Sequence, residues 1–353
     1  MSQRLSCSKD RVPYWPQPTE MLTTRTAMIA RVLPAALALS AMSMRLAANP
    51  VPFRFLHITD VHVAGGKNIE PLTALVNRMS DAADRPAFVV NTGDVTELGY
   101  ASEFAAYLQA IAASPVPVHA VPGNHDVRWA PLGKEAFERA CGPLYRSFDY
   151  GGCHFVLLDS TVVLEHWGHL DGAQLAWLAA DLRKLKPDTP VFLFLHHWLG
   201  RERTNIDNAG DLLRIISPYN VVAAFVGHGH ADLHWQVNGI DFFMARGLYQ
   251  GSYHEIAVGA GQVEVSRCKL AGDRWTIQTL VEIPIARDPP PRYKVRWDPA
   301  GSSRQGHRRF TIEATNGNRQ SAAVKAAWSV KGSAVGGEMT QSGRRALSGE
   351  FDA

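Results

Sequence analysis

Five short apolar runs between residues 53 and 230 are each followed by a cluster of residue types that commonly act as metal ligands. The runs read FRFLHI, AFVVNTG, VHAVPG, VFLFL and VVAAFVG. The clusters that follow them are, in chain order, Asp60 and His62; Asp94; Asn124, His125 and Asp126; His196 and His197; and His228 and His230. Because ligands gather at the carboxyl ends of strands in an α/β sheet, this order predicts that the five clusters converge on one pocket.

The segments between these runs predict an α/β fold. Apolar residues at helical spacing predict helices over residues 70–83, 101–113, 134–140, 174–185 and 208–216. Beyond His230 the chain becomes rich in β-type runs, and the Asn-Gly turn in HWQVNGIDFFMA predicts a hairpin. The alternation of strands and helices predicts buried sheets layered against helices.

Composition and charge restrict the class of protein. The 353 residues are 46% hydrophobic and 20% charged, which suits a globular chain with a sizeable core. The net charge of +3 is small and much of the basic excess lies in the C-terminal tail, so a nucleic-acid partner is not expected.

The four cysteines show no CxxC spacing. Cys141 and Cys153 could pair in an oxidising compartment, although two buried free thiols are favoured.

The N-terminal region contains a signal-like segment near residues 25–48. Arg25 and Arg31 precede the run VLPAALALSAMSM, and small residues follow it, as in a secretory signal peptide. The run is too short to span a bilayer, so no transmembrane anchor is expected. Arg45 and the lack of a clean Ala-x-Ala site argue against export. A periplasmic and a cytoplasmic location both stay open, with an amphipathic helix or a disordered leader as the alternative to a signal.

The residue types at the strand ends suit a pair of metal ions. Residues i and i+2 of an extended chain face the same side, so the Asp60–His62 and His228–His230 pairs can each face one metal. The Asp94 carboxylate has two oxygens and can bridge two cations. Histidine with carboxylate favours Mn, Fe or Zn over Ca or Mg. Two such ions about 3.5–4 Å apart clamp a phosphoryl group and generate hydroxide near neutral pH.

Each cluster by itself also has a structural explanation. A single histidine after a strand is usually satisfied by its own neighbours, and an isolated Asp-Val or Asn-His usually forms a turn. The joint order of the clusters favours the metal site over these explanations. The seven candidate ligands are Asp60, His62, Asp94, Asn124, His196, His228 and His230.

The motifs D-x-H, G-D, G-N-H-[DE], H and G-H-x-H occur here in that order. Over about residues 53–240 the chain therefore resembles the calcineurin-like metallophosphoesterase superfamily. Flanking segments such as GDVTELGYASEF and GHLDGAQLAWLAADL resemble its bacterial class III phosphodiesterase-like branch. The resemblance implies a four-layer α/β/β/α sandwich with two mixed β-sheets. It also implies a dinuclear metal-dependent hydrolase, in which a metal-bridging hydroxide attacks a small phosphoester.

The resemblance also assigns roles to the residues. It implies that Asp60, His62 and His230 hold the first metal, that Asn124, His196 and His228 hold the second, and that Asp94 bridges them. His125 resembles the family's non-ligand histidine, which contacts the phosphate and can protonate the leaving oxygen, and Asp126 would orient it. General-acid help of this kind is worth about 10²–10⁴-fold in rate.

Two departures from the family pattern bear on chemistry and substrate. Glu97 stands where the purple acid phosphatase branch has a tyrosine, so an iron–tyrosinate is not expected. The fourth motif continues as His197-Trp198 instead of the common His-x-Pro. Trp198, Trp129 and Trp167 could form an aromatic wall for a nucleobase or acyl group, or they could simply pack in loops. The other nearby histidines, which we interpret as supporting or structural, are His166, His169, His197 and His234.

We expect three regions: a disordered leader or signal-like segment over 1–50, a metallophosphoesterase domain over 51–286, and a linker and partly disordered tail over 287–353 that could include a small β appendage. The expected function is hydrolysis of a phosphodiester, with cyclic nucleotides and glycerophosphodiesters as candidates. The alternatives are a phosphomonoesterase or nuclease of the same fold, or a non-catalytic binding protein. The core lacks a basic stripe with interleaved aromatics, which ranks the nuclease lower. The sequence does not fix the oligomeric state.

Overall fold

The computed structural model describes residues 50–287, apart from 66, 82–84, 202–204 and 273, and the backbone of six strand segments between 293 and 352. The signal-like segment lies before the described residues, so its cleavage and the location of the protein stay predictions. Every helix that the structure describes is too short or too polar to cross a bilayer.

Strands and helices alternate between residues 53 and 226, and strands follow one another after that. The strands are β1 (Phe53–Ile58), β2 (Val89–Asn91), β3 (Val118–Ala120), β4 (Arg146–Tyr150), β5 (Cys153–Leu157), β6 (Val191–Phe194), β7 (Val221–Val226), β8 (Leu233–Val237), β9 (Ile240–Met244), β10 (Ser252–Val258), β11 (Gln262–Ala271) and β12 (Arg274–Pro284). The helices are α1 (Glu70–Asp81), α2 (Ala101–Ile111), α3 (Asn124–Val127), α4 (Lys134–Cys141), α5 (Gly172–Leu182) and α6 (Ala209–Ile216).

Two mixed six-stranded sheets form the centre of the part of the chain between residues 50 and 287. The first has the order β12-β11-β10-β1-β2-β3, in which β1, β2 and β3 run parallel and β10 to β12 antiparallel. The second has the order β4-β5-β6-β7-β9-β8, in which β5, β6, β7 and β9 run parallel. The carboxyl ends of β1, β2 and β3 in one sheet and of β6 and β7 in the other supply every predicted ligand.

Phenylalanine fills the space between the two sheets. Phe55 of the first sheet stacks on Phe88 with ring centroids 5.3 Å apart. Phe155 and Phe192 of the second sheet stack at the same centroid distance, and Phe155 meets Phe55 edge-on at 5.5 Å. All four side chains are buried, and each burial contributes about 1.5–3 kcal/mol. This aromatic layer fixes the spacing of the sheets.

Helices cover the outer face of each sheet. Leu72 and Leu75 of α1 and Phe104 of α2 are buried against the first sheet, whereas Leu178 of α5 and Leu212 of α6 are buried against the second. These outer cores confirm the predicted four-layer α/β/β/α sandwich.

Local signals explain where several elements begin and turn. Helix α5 begins two residues before the predicted residue 174 because Asp171 caps it, accepting a hydrogen bond from the Gln174 N–H at 2.8 Å. The predicted hairpin is formed by β8 and β9, with Asn238 and Gly239 at φ 51° and 76° in its turn. Positive φ at both central residues is what a type I′ hairpin turn requires.

After residue 292 the structure describes six strand segments. They are β13 (Tyr293–Asp298), β14 (His307–Ala314), β15 (Ala327–Ser329), β16 (Gly336–Glu338), β17 (Thr340–Gln341) and β18 (Ala346–Asp352). They pair antiparallel in the orders β13-β14-β18-β17 and β15-β16. The three-region division of the chain stays a prediction. Cys141 and Cys153 are free thiols, as predicted, but only Cys153 is buried, and Cys141 is half-buried.

Candidate metal centre

Both sheets contribute to one cluster of polar side chains. Asp60 and His62 follow β1, Asp94 follows β2 and Asn124 follows β3, while His196, His228 and His230 follow β6 and β7. The side chains of Asp60, Asp94, Asn124 and His196 are almost inaccessible to solvent. Isolated charged groups are not buried in this way without partners or a cation.

The first half of the cluster is formed by two carboxylates and two imidazoles. His230 Nε2 lies 3.1 Å from Asp60 Oδ1 and 3.3 Å from His62 Nε2. His62 Nε2 is also 3.7 Å from Asp60 Oδ1 and 3.8 Å from Asp94 Oδ2. The ligand atoms of these four residues all lie within 4.8 Å of one another, which is close enough to hold one metal ion.

The second half is formed around His196. Its Nδ1–H donates to the Thr92 carbonyl at 2.8 Å, so its Nε2 lone pair is left for a ligand. His196 Nε2 lies 3.0 Å from Asn124 Oδ1 and 3.2 Å from Asp94 Oδ2. The rings of His196 and His228 are 5.1 Å apart. An imidazole, an amide oxygen and a carboxylate here offer the donors expected of a second site.

Asp94 lies between the two halves. Its Oδ1 accepts the backbone N–H of His125 at 2.8 Å. Its Oδ2 is buried and has no hydrogen-bond partner among the described residues, although it approaches imidazoles of both halves. An unsatisfied buried carboxylate oxygen is costly, whereas a cation on each side would satisfy it. The residues present therefore fit a bridging carboxylate.

The backbone is strained at the candidate ligands. Asp60, His62, Asp94, His228 and His230 all have positive φ, between 47° and 68°. Such φ values are uncommon for residues other than glycine and persist where the surroundings enforce them, often at functional sites. Five of the seven candidate ligands therefore carry local strain that their positions in the cluster explain.

Glycines allow the ligand loops to approach one another. A Cβ on Gly93, which has φ 102°, would lie 2.6 Å from the Gly123 nitrogen. A Cβ on Gly123 would overlap the backbone nitrogen and the carboxylate of Asp94, and one on Gly227 would overlap the Thr59 hydroxyl. Glycine at 93 therefore lets its backbone approach the loop that carries Asn124 more closely than a side chain would allow.

The electrostatics favour positive charge in this cluster. Burial opposes the charged form of His62, but the nearby carboxylates of Asp60 and Asp94 raise its pKa to about 9. Burial also opposes the charged form of His196, but the negative charge of Asp94 outweighs this effect and raises the pKa of His196 to about 9. Despite burial, His196 lowers the pKa of Asp94 to about 2. Protons and metal ions compete for the same lone pairs, so the field that holds protons here also favours cations.

His125 is oriented by a backbone group. Its Nδ1–H donates to the Glu97 carbonyl at 2.8 Å, which leaves Nε2 as the nitrogen for proton transfer. The Asp126 oxygens instead accept the N–H groups of Gly123, Val95 and Thr96 and the Thr96 hydroxyl. The expectation that Asp126 orients the His125 ring is therefore wrong, because the Glu97 carbonyl is the hydrogen-bond partner of that ring. Asp126 supports the loops that carry Asp94 and Asn124.

Glu97 and Tyr249 are two members of the cluster that sequence reasoning did not assign. Glu97 Oε2 accepts from His62 Nδ1 at 2.9 Å, and Tyr249 Oη lies 2.9 Å from His230 Nδ1. Outer partners of this kind fix the tautomer and orientation of a ligating histidine. Glu97 had one available signal, its position three residues after Asp94, whereas Tyr249 belongs to no motif.

We expect Glu97→Gln to lower the affinity for Mn²⁺ by about 10–100-fold, the usual cost of losing an outer-shell partner. The change removes the carboxylate from His62 Nδ1 but keeps the Glu97 carbonyl that holds His125. Metal titration of the chelator-treated protein measures the effect. Glu135→Gln, an exposed carboxylate paired with Arg139, is the matched control. An affinity equal to that of the control would show that Glu97 does not support His62.

Three of the four other histidines near the motifs have hydrogen-bond partners outside the candidate ligand set. His197 uses both ring nitrogens, with Ser160 Oγ at 2.9 Å and the His166 carbonyl at 3.0 Å, so it supports the adjoining loop although it lies near His196 and His228. His169 pairs with Asp207, and His234 pairs with Asp241. Trp129 and Trp167 are each 42% exposed. The Trp129 ring lies 5.1 Å from that of His125.

Two mixed sheets that gather buried carboxylates and imidazoles at their strand ends define a candidate metallohydrolase. Residues 53–232 match the family model of the calcineurin-like phosphoesterases, and the chain belongs to that family. The family is hydrolytic. This membership confirms the resemblance deduced from the five motifs.

Relatives with named activities match part of the chain. A probable cyclic nucleotide phosphodiesterase of Rhodococcus erythropolis is 32% identical over 172 residues, covering 44% of this chain and 56% of that protein. A probable glycerophosphodiester phosphodiesterase of Arcobacter nitrofigilis is 27% identical over 201 residues, covering 50% of this chain and 71% of that protein. The chain thus spans about half to three quarters of these relatives.

A solved structure shares the fold. The purple acid phosphatase PPD1 from yellow lupin (Lupinus luteus) seeds superimposes with a TM-score of 0.51 and 16% identity, covering 68% of this chain and 54% of that one. This likeness supports the two-sheet architecture.

Proposed function

We propose that this chain is a dinuclear metal-dependent phosphodiesterase. The observation that carries the proposal is the position of Asp94, whose unpartnered Oδ2 lies within 4 Å of imidazoles from both halves of the cluster. Asp60, His62 and His230 would hold one ion, and Asn124, His196 and His228 the other. The names of the relatives support a diester substrate, with cyclic nucleotides and glycerophosphodiesters as the candidates.

Two bound ions would supply Lewis-acid charge and a hydroxide near neutral pH. The chain's own residues supply the remaining functions. The Asp60 and Asp94 carboxylates would stabilise positive charge in a buried site. The Glu97 carbonyl accepts the His125 Nδ1–H, so the transferable proton of the charged ring is on Nε2. His125 would then donate that proton to the leaving oxygen. Its ring is only partly buried, as a group that meets substrate requires.

Metal analysis and a substrate panel test the proposal together. Equilibrium dialysis is expected to give about two Mn²⁺ ions per chain, as dinuclear catalysis requires. Loaded protein is expected to hydrolyse cyclic AMP, a glycerophosphodiester or an aryl phosphodiester faster than an aryl phosphomonoester. Binding of no metal would support a non-catalytic scaffold, and preference for the monoester would support a phosphomonoesterase.

A further inference from the structure

An exposed apolar patch lies beside His125 at the candidate metal centre. Two loops, one after α3 and one after β5, expose five large apolar side chains there: Trp129, Leu132, Val163, Leu164 and Trp167. Leu164 is 69% exposed and Leu132 is 50% exposed. Contiguous apolar patches are uncommon on soluble proteins and mark sites of interaction with a protein or a membrane. We call these five residues the apolar rim.

The two loops of the apolar rim contact each other and the centre. The Trp129 ring lies 5.1 Å from the His125 ring and 6.2 Å from the His166 ring of the second loop. A Cβ on Gly133 would lie 3.5 Å from a Val163 methyl group, so the loops meet at a second point. The rim is therefore one surface next to the candidate general acid.

The second loop has a defined backbone with strain at its tip. The His169 N–H donates to the Ser160 carbonyl at 3.0 Å and closes the base of the loop, while the Glu165 N–H donates to the Val162 carbonyl at 3.1 Å near the tip. Leu164 has φ 71°, which is an outlier for a bulky residue. Strain of this kind clusters at functional positions. The fold gains little from a leucine that it leaves in solvent, so we assign this strain to binding.

The charges of the two loops select the partner. Residues 128–133 and 161–169 contain one cation, Arg128, and one anion, Glu165, so the rim has no net charge when its histidines are neutral. The Arg128 guanidinium lies 4.7 Å from the Trp129 ring centroid, and its Nη1 is buried without a hydrogen-bond acceptor among the described residues. A zwitterionic bilayer matches both observations. Its interface takes indoles and leucines, and its headgroup phosphates supply the anionic oxygens that an unpaired guanidinium favours.

We propose that the apolar rim docks the chain on the surface of a zwitterionic phospholipid bilayer, with the metal centre facing the headgroups. The proposal rests on the proposed function for the reaction alone, because docking itself needs no metal. Since His125 lies beside the rim, docking brings headgroup phosphates to the entrance of the centre. The substrate class is therefore the phosphodiesters of membrane phospholipids, which a docked enzyme meets at a high effective concentration.

Binding of the chelator-treated protein to phosphatidylcholine vesicles tests the docking without any hydrolysis. Burial of one exposed leucine is worth roughly tenfold in partition, so Leu164→Ser is expected to weaken vesicle binding by roughly tenfold in a cosedimentation assay. Leu280→Ser is the matched control, because Leu280 is also an exposed leucine but belongs to β12 at the edge of the first sheet. It should change binding by less than about twofold, as surface substitutions usually do.

Quenching by brominated acyl chains shows which indoles enter the bilayer. Wild-type tryptophan emission is expected to fall on binding, and the double variant Trp129→Phe/Trp167→Phe is expected to lose most of that quenching while it still binds, because phenylalanine stays apolar. Equal vesicle affinities of Leu164→Ser and Leu280→Ser, or unchanged quenching in the double variant, would overturn the docking. Self-association of the wild type that Leu164→Ser abolishes would also overturn it and assign the rim to a second copy of the chain.

Hydrolysis by the Mn-loaded holoenzyme gives the second readout. Phosphatidylethanolamine in mixed phosphatidylcholine vesicles and glycerophosphoethanolamine in solution offer the same diester with and without acyl chains. The ratio of the vesicle rate to the solution rate is expected to fall roughly tenfold in Leu164→Ser, in step with vesicle binding, and to keep its wild-type value in Leu280→Ser. An unchanged ratio in Leu164→Ser, or cleavage of glycerophosphoethanolamine but not of the lipid, would overturn the substrate class. Vesicle binding without hydrolysis of any phosphodiester would overturn the proposed function and leave the docking surface standing.

Discussion

The Asp94→Ala variant is expected to lose kcat/KM on an aryl phosphodiester by at least about 10²–10³-fold, the usual cost of removing one preorganised electrostatic group. The structural reason is that a single buried carboxylate faces His62 and His196 at the same time. Its removal takes away the shared negative charge of both metal sites. Initial rates in Mn-loaded protein, with the metal content measured on the same samples, give the result.

Two further variants separate charge from structure. Asp94→Asn retains an oxygen for the His125 N–H but lacks the charge, so it is expected to lose nearly as much activity as Asp94→Ala. Asp181→Asn is the matched control, because Asp181 is also buried and pairs with His154 and Lys184 away from the cluster. Thermal melts monitor the folded fraction. Wild-type rates from folded Asp94→Ala would refute the bridging assignment and with it the dinuclear mechanism.

The convergence of the candidate ligands is predictable from the sequence, but the extended-chain argument for the Asp60–His62 pair is wrong. The spacing of Asp60 and His62 predicts that both face one metal, because alternate residues of an extended chain share a side. In the structure β1 ends at Ile58, and Asp60 and His62 have φ of 50° and 52°. Two left-handed residues flanking Val61 bring the side chains together instead. The parallel strand ends, which the apolar runs revealed, are the part of the argument that the fold confirms.

Contacts between distant segments were beyond sequence reasoning. The Thr92 carbonyl fixes the His196 tautomer across 104 positions of the chain, and Tyr249 meets His230 from a single 3-10 turn after β9. Neither partner has a distinctive residue pattern, because any backbone carbonyl or nearby hydroxyl can serve. For the same reason the sequence does not reveal that the partner of His125 is the Glu97 backbone carbonyl and not Asp126. Motifs therefore indicate ligands, whereas the packing of loops determines what holds them.

His125→Ala is expected to slow hydrolysis by about 10²–10⁴-fold for substrates with an alkoxide leaving group, the range for loss of a general acid. The effect should be much smaller for a nitrophenyl diester, because a nitrophenolate needs little protonation to depart. Metal content should stay at the wild-type level, since the His125 ring donates to the Glu97 carbonyl and is absent from the predicted ligand set. Parallel assays on cyclic AMP and bis(nitrophenyl) phosphate measure the difference.

The leaving-group dependence separates proton transfer from a structural contribution. If His125 only held the loop in place, His125→Ala would lower the hydrolysis rates of both substrates equally, because a misplaced loop affects the site regardless of the leaving group. His169→Ala is the matched control, since His169 is exposed and pairs with Asp207, and it should change neither rate. If His125→Ala lowered both rates by one common factor, or reduced the bound metal, His125 would belong to the scaffold of the centre. A loss of rate confined to the substrate with the poor leaving group shows that His125 donates its proton to the departing oxygen. The hydrogen bond from His125 Nδ1 to the Glu97 carbonyl orients the ring for this step.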